Sequence, residues 1–172
     1  MGACEHIIRE RYKVEMPIED LIADHRRRLI ALLEADLVVT PAAIETVCEI
    51  KKRGRLVAVA TNSPFEYAER VLQLSGLSSL LDTLATGEDA TQPKPAPDVY
   101  LVATARLSVP PSRCLAVEDS PPGQTAALRA GMSCAVIPND FLPQAEFSPA
   151  SPRFPTLHAF REALDGLLAA RT

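Results

Sequence analysis

The stretch Cys114-Leu-Ala-Val-Glu-Asp-Ser-Pro-Pro-Gly123 is an apolar run that ends in two adjacent acids and then turns at once. Two readings of it stand. In one, Asp119 or Ser120 caps a following helix and Glu118 is a solvated neighbour. In the other, a buried strand delivers Glu118 and Asp119 to the carboxyl end of a parallel sheet. Magnesium there takes one or two carboxylates along with phosphate oxygens and water. The stretch alone does not separate the two.

Working outward, strand and helix signals alternate from Thr40 onward. Thr40-Pro41 gives an N-cap and a proline in the first helical turn, opening a helix through Lys52 that stops at Gly54. Residues 56–60, Leu-Val-Ala-Val-Ala, are a continuous apolar run, as expected of a strand covered on both faces. Ser63-Pro64-Phe65-Glu66 reads as a capping box starting a helix to about Ser75. A strand follows over 82–86, a helix over 98–107, a strand over 113–117, a helix over 121–130 ending at Gly131, and a strand over 133–137. Residues 138–156 carry five prolines and read as loop, and 157–169 as a terminal helix. Before Thr40, residues 3–15 and 17–36 read as two helices. The alternation predicts a parallel α/β sheet that takes its ligands outside the carboxyl ends of its strands.

Composition narrows the function classes. With 47% hydrophobic and 23% charged residues, the 172-residue chain can bury a core. A net charge of -4 argues against nucleic acid as a partner, because phosphate backbones select basic surfaces. The runs 25–28 and 51–55 are basic but fit solvated helix faces. Cys4, Cys48, Cys114 and Cys134 show no zinc-ligand spacing, and His6, His25 and His158 are scattered. No run has the length of a membrane span and no signal peptide is seen, so a cytoplasmic protein is expected.

Two further loops carry chemistry. Thr61-Asn62 follows the first apolar strand and precedes a helix, so a hydroxyl and backbone N–H groups there can face an anion. Gln92-Pro-Lys-Pro-Ala-Pro-Asp98 flanks Lys94 with prolines that stiffen the backbone and hold its ammonium in place. Each has an ordinary explanation, in capping or in an exposed turn lysine.

Together, Thr61-Asn62, Lys94-Pro95-Ala96-Pro97-Asp98, and Glu118-Asp119-Ser120 with Gly123, in that order and followed by Ala130-Gly131-Met132, resemble the haloacid dehalogenase superfamily of phosphohydrolases. The resemblance is to its β-phosphoglucomutase-like branch, which carries a helical cap. It implies an α/β fold: a Rossmann-like parallel sheet with a partial helical cap over 1–37 and the core over 38–172. It further implies that Thr61 and Asn62 bind phosphate, that Lys94 neutralises the transferring group, and that Asp119, helped by Glu118, holds Mg2+. The implied ligand is a small phosphorylated metabolite. Pro93 stands where that branch usually has glycine.

The family attacks phosphate with the first aspartate of a D-x-D motif on an N-terminal, central strand, passing through a phosphoaspartyl intermediate. No Asp-x-Asp occurs in this sequence. The resemblance therefore implies a core without its first strand and a catalytically incomplete phosphatase or phosphomutase. The alternative is a non-catalytic relative that binds a phosphorylated ligand or a protein partner. A phosphoacceptor receiver also groups aspartate, threonine and lysine at strand ends, but there the aspartate comes first in the chain; here the order is Thr61, Lys94, Asp119. Without the central strand, the expected sheet either closes up across the gap, is filled by another segment, or stands open.

Overall fold

The computed structural model describes Arg11, Lys13 and residues 16–139 and 147–169. The helix expected over 3–15 falls outside these residues apart from Arg11 and Lys13, as do Cys4 and His6. The chain divides into two compact units, Met1–Val38 and Val39–Thr172. In the first, helix α1 (Ile18–Asp36) carries Asp24 paired with Arg27 at 3.3 Å and Arg28 at 2.6 Å, neighbours one turn on along its surface.

The second unit holds the sheet. Helix α2 (Pro41–Lys52) has proline at its first position, and Gly54, at φ 68, takes the left-handed conformation beyond its end. Thr40 occupies the cap position without a side-chain cap bond. Strand β1 (Ala58–Ala60) runs parallel to β2 (Thr83–Ala85), with Ala58 opposite Thr83 and Ala60 opposite Ala85. Helix α3 (Phe65–Leu74) joins them and α4 (Asp98–Arg106) follows β2. Strand β3 (Leu115–Glu118) runs parallel to β4 (Ser133–Val136), with helix α5 (Pro121–Arg129) between them. Helices α6 (Leu157–Glu162) and α7 (Leu164–Ala169) close the described chain.

Two expected boundaries shift for local reasons. The strand expected over 113–117 starts at Leu115 instead, because Pro111–Arg113 form a 3-10 turn, and it runs on to Glu118. The terminal helix is broken at Ala163 into α6 and α7.

Side-chain alternation along the strands builds two apolar layers. Ala58, Ala60 and Ala116 pack with Val99, Tyr100 and Ala103 of α4 and with Ala126 and Ala127 of α5. Leu115 and Ala135 pack instead with Ile50 of α2, Phe160 of α6 and Leu164 of α7. Phe160 meets Phe154 edge-to-face, ring centroids 5.5 Å apart. Helices thus cover both faces of a parallel sheet, the Rossmann-like α/β arrangement that the sequence implies.

That sheet is interrupted. Among the described residues, β1–β2 and β3–β4 are separate two-stranded sheets, and no strand lies between β1 and β3. A cavity of about 650 Å³ occupies the gap, lined by residues 56–60 on one side and 114–118 on the other. Leu56 and Val117, which a complete sheet would cover, are 50% and 42% exposed. The two halves do not pair directly. Among the described residues, no helix is long and apolar enough to cross a membrane.

Candidate functional site

The carboxyl ends of β1 and β3 are joined by one side chain. Lys94 Nζ donates to the Ala60 carbonyl at 3.0 Å, ending β1, and to Glu118 Oε1 at 2.6 Å, ending β3. Tyr100, from the first turn of α4, completes the cluster. Its hydroxyl accepts from Lys94 at 3.4 Å and donates in a short bond to Glu118 Oε1. The ammonium also lies 4.7 Å from the Tyr100 ring centroid, within cation–π range. The Lys94 and Glu118 side chains are only 12% and 6% exposed, so each charge depends on the other for its solvation. Burial, reinforced by the Glu118 charge, raises the Tyr100 pKa far above the ordinary phenol value and keeps it a donor.

Backbone contacts fix the Lys94 loop. Asp98 accepts from the Gln92 N–H at 3.0 Å, and the Ala96 N–H donates to the Pro93 carbonyl at 3.0 Å. The Lys94 N–H donates to Asn62 Oδ1 at 2.9 Å, tying this loop to the one after β1; the Lys94–Pro95 peptide is cis. Pro93, where the family usually has glycine, does not prevent Lys94 from reaching both strand ends.

Thr61 continues the β1–β2 ladder through its N–H, which donates to the Ala85 carbonyl at 3.0 Å. Its hydroxyl donates to Ser63 Oγ and accepts from the Ser63 N–H, both at 3.1 Å. The expected capping box is therefore not formed. Helix α3 begins at Phe65 with Pro64 in the cap position, one residue later than the box requires, and Ser63 is turned to Thr61. Asn62 is held from below as well. Gly87 lies so close to the Asn62 backbone carbonyl that a Cβ would collide with it, and the Gly87 N–H donates to the Ser63 carbonyl at 3.0 Å. The Gly87 turn is braced by Asp89, which accepts from the Thr86 N–H at 2.8 Å and pairs with Arg106 at 2.5 Å. The Arg106 and Thr86 bonds lower the Asp89 pKa to about 2.

The opening acids part company. Glu118 turns inward to Lys94 and Tyr100, and its other oxygen accepts from the Ser120 hydroxyl at 3.3 Å. Gly123 is required beside it, since a Cβ there would overlap the Glu118 carboxylate. Ser120 also caps α5, accepting from the Gly123 N–H at 3.2 Å, with Pro121 in the first helical position. Asp119 is exposed and its Oδ2 accepts from Asn139 Nδ2 at 3.2 Å. Ser120 thus caps α5 as the first reading expects, but Glu118 is not the solvated neighbour of that reading: it is buried at the end of β3 against Lys94.

No group of three or more histidine, cysteine, aspartate or glutamate side chains is arranged to hold a metal among the described residues. Among the described residues at the end of β3, Asp119 offers magnesium an exposed carboxylate, whereas the Glu118 carboxylate is committed to Lys94 and Tyr100. A single carboxylate still fits an ion that fills its shell with water and phosphate oxygens. Sequence reasoning missed Tyr100, Gly87 and Asn139. Tyr100 carried a signal, a lone aromatic two residues into the helix after the lysine loop; Gly87 and Asn139 carried none, because their roles come from long-range packing.

The profile of the haloacid dehalogenase-like hydrolases matches residues 5–131. The chain belongs to that family. It is 32% identical over 139 residues to protein CbbY of Cereibacter sphaeroides, covering 78% of this chain and 60% of that protein. It is 38% identical over 122 residues to hexitol phosphatase B of Escherichia coli K12, covering 71% of this chain and 54% of that protein. The chain thus spans little more than half the length of these relatives. Among solved structures, CbbY from Rhodobacter sphaeroides in complex with phosphate superposes with a TM-score of 0.77 at 30% identity, covering 87% of this chain and 67% of that one. A β-phosphoglucomutase-type protein from Thermotoga maritima gives 0.80 at 22% identity over 94% of this chain and 76% of its own, a likeness of fold. The family rests on the profile and on the relatives at 30% identity or more; the Thermotoga structure shows the same fold.

Proposed function

We propose that the carboxyl ends of β1 and β3 form the phosphate-handling half of a magnesium-dependent phosphohydrolase or phosphomutase site, which this chain leaves without its nucleophile. The observation that carries this is the Lys94 ammonium, fixed between the Ala60 carbonyl and Glu118 while its backbone holds Asn62. Phosphoryl transfer depends on positioning and on charge stabilisation, and a buried lysine next to hydroxyl and N–H donors supplies both. Thr61 and Asn62 orient the phosphoryl group, and Lys94 offsets its charge. Glu118 acts as a positioning residue for Lys94, and Asp119 is the protein ligand for Mg2+, which when bound neutralises phosphate oxygens. On this reading residues 1–37 are a partial cap and 38–172 the core.

The substrate class is a small phosphorylated metabolite, supported by relatives named as a hexitol phosphatase and crystallised with xylulose-(1,5)bisphosphate. A second reading, a non-catalytic binder of a phosphorylated ligand, is favoured by one fact: the sequence contains no Asp-x-Asp. Calorimetric titration with inorganic phosphate and Mg2+, alongside turnover of a panel of phosphate esters, separates them. On the first reading the 172-residue chain binds phosphate through Lys94 without turnover, and a form extended by an N-terminal D-x-D strand turns over esters. Turnover by the short chain that is lost in Asp119→Ala overturns the missing-nucleophile claim. An inactive extended form that still binds phosphate leaves the binder.

A further inference from the structure

Tyr100 closes a ring of hydrogen bonds with the two charged groups of the site. Lys94 Nζ donates to the Tyr100 oxygen at 3.4 Å and to Glu118 Oε1 at 2.6 Å, and the Tyr100 hydroxyl donates to that same carboxylate oxygen. With the Ala60 carbonyl at 3.0 Å, all three N–H donors of the ammonium are placed. The other Glu118 oxygen takes the Ser120 hydroxyl at 3.3 Å.

The three members of the ring differ in what fixes them. Lys94 reaches in from a loop on a long, flexible stem, and Glu118 ends a strand beside the exposed Asp119. Tyr100 stands in the first turn of α4, where its N–H donates to the Pro97 carbonyl at 3.0 Å. Its side chain is buried in the core with Ala60, Val99, Ala103 and Ala116. Packing on a helix therefore sets where the hydroxyl sits, with more precision than a loop supplies. Burial keeps that hydroxyl protonated and so a donor to Glu118.

We propose that Tyr100 is a positioning residue acting through Glu118: its hydroxyl holds the carboxylate inward and thereby sets the Lys94 ammonium between the ends of β1 and β3. The role rests on the reading of Lys94 as the group that meets phosphate. Any buried tyrosine hydroxyl needs a partner, so a loss of stability alone does not distinguish this role from ordinary packing. What distinguishes it is the partner, the counter-ion of the lysine. Tyr100→Phe isolates the effect, because the ring 4.7 Å from the ammonium and its packing are kept and only the hydroxyl goes. Without the hydroxyl, Glu118 loses a donor, Lys94 loses an acceptor, and the pair is free to turn towards solvent.

The test is NMR of the lysine ammonium groups on the 172-residue chain, first without phosphate. A shielded, hydrogen-bonded ammonium exchanges slowly with water, and the Lys94 signal is assigned by its loss in Lys94→Arg, which keeps the charge. Tyr100→Phe is expected to speed that exchange roughly tenfold, the size of one lost hydrogen bond to a charged group, and to weaken binding of inorganic phosphate by a similar factor. Ala103→Gly is the control on the same helix: it is expected to lower the urea midpoint while leaving both readouts as in the parent. A parent without a protected Lys94 ammonium, unchanged exchange or phosphate affinity in Tyr100→Phe, or equal changes in Ala103→Gly overturns the proposal. A parent whose Lys94 ammonium is protected, and freed in Tyr100→Phe, but which takes up no phosphate overturns the phosphate reading instead and leaves the placement of Lys94 by Tyr100 standing.

Discussion

Lys94 and Glu118 form a buried pair in which each charge leaves the other stranded if removed. Truncating one partner of such a pair typically costs about 3–5 kcal/mol, well above the worth of an exposed ion pair. Lys94→Met is therefore expected to lower the urea midpoint markedly and abolish phosphate binding. Glu118→Gln, which keeps the shape and accepts from Tyr100 and Lys94 through its amide oxygen, is expected to destabilise less while loosening phosphate affinity. Equal losses in the two variants by urea titration would contradict the pairing. Gly123→Ala acts through the same carboxylate: the added methyl meets a Glu118 held by Tyr100 and Lys94, so overpacking of about 1–3 kcal/mol is expected. Asp89 supplies the pH-dependent case. Its folded pKa, about 2, lies below the unfolded value of about 3.9, so its contribution is fully present above pH ~4 and disappears as pH falls towards 2. The stability difference between the parent and Asp89→Asn, followed by urea titration, should be constant above that window and shrink within it.

Helix α5 begins where β3 ends, and its cap was legible because capping chemistry is local. Ser120, Pro121 and Gly123 stand at fixed offsets, and the Gly123 N–H finds Ser120 Oγ as expected. Ser120→Ala is expected to cost about 1 kcal/mol by thermal melting, the usual worth of a cap. The same local logic failed at Ser63. A proline follows each serine, but at α5 it takes the first helical position, whereas at α3 it takes the cap position itself, and Ser63 bonds Thr61 instead. Nothing within the capping box distinguishes the two cases; the bonds of Thr61 to Ala85 and of Gly87 to Ser63 do, and those are contacts distant in sequence. The three motif loops were legible for a different reason. Strand ends in a parallel α/β sheet face the same edge, so an order of apolar runs followed by Thr61, Lys94 and Asp119 predicts convergence without any contact being known. Which acid faces the lysine was not legible, since adjacent residues on a strand point to opposite sides and the strand's register decides between them.

At the scale of the whole molecule, the described residues place no strand between β1 and β3. A buried strand of about five residues contributes roughly 8–12 kcal/mol of side-chain burial, at about 1.5–3 kcal/mol for each large apolar residue. That is comparable with the net stability of a complete domain, about 5–15 kcal/mol. Among the described residues nothing compensates across the gap: β1 and β3 are not paired with each other, Leu56 and Val117 are exposed, and Lys94 bonds to both strand ends. The two half-sheets share one apolar cluster with α4 and α5, so secondary structure is expected to persist where the sheet itself loosens. The 172-residue chain is therefore expected to melt early and broadly, to bind a hydrophobic dye before it unfolds, and to aggregate with rising concentration along its open strand edges. Calorimetry and dye fluorescence in parallel check this. A single sharp transition above about 65 °C, the upper end for ordinary mesophilic domains, with no dye binding, would show that the two half-sheets hold together without a strand between them.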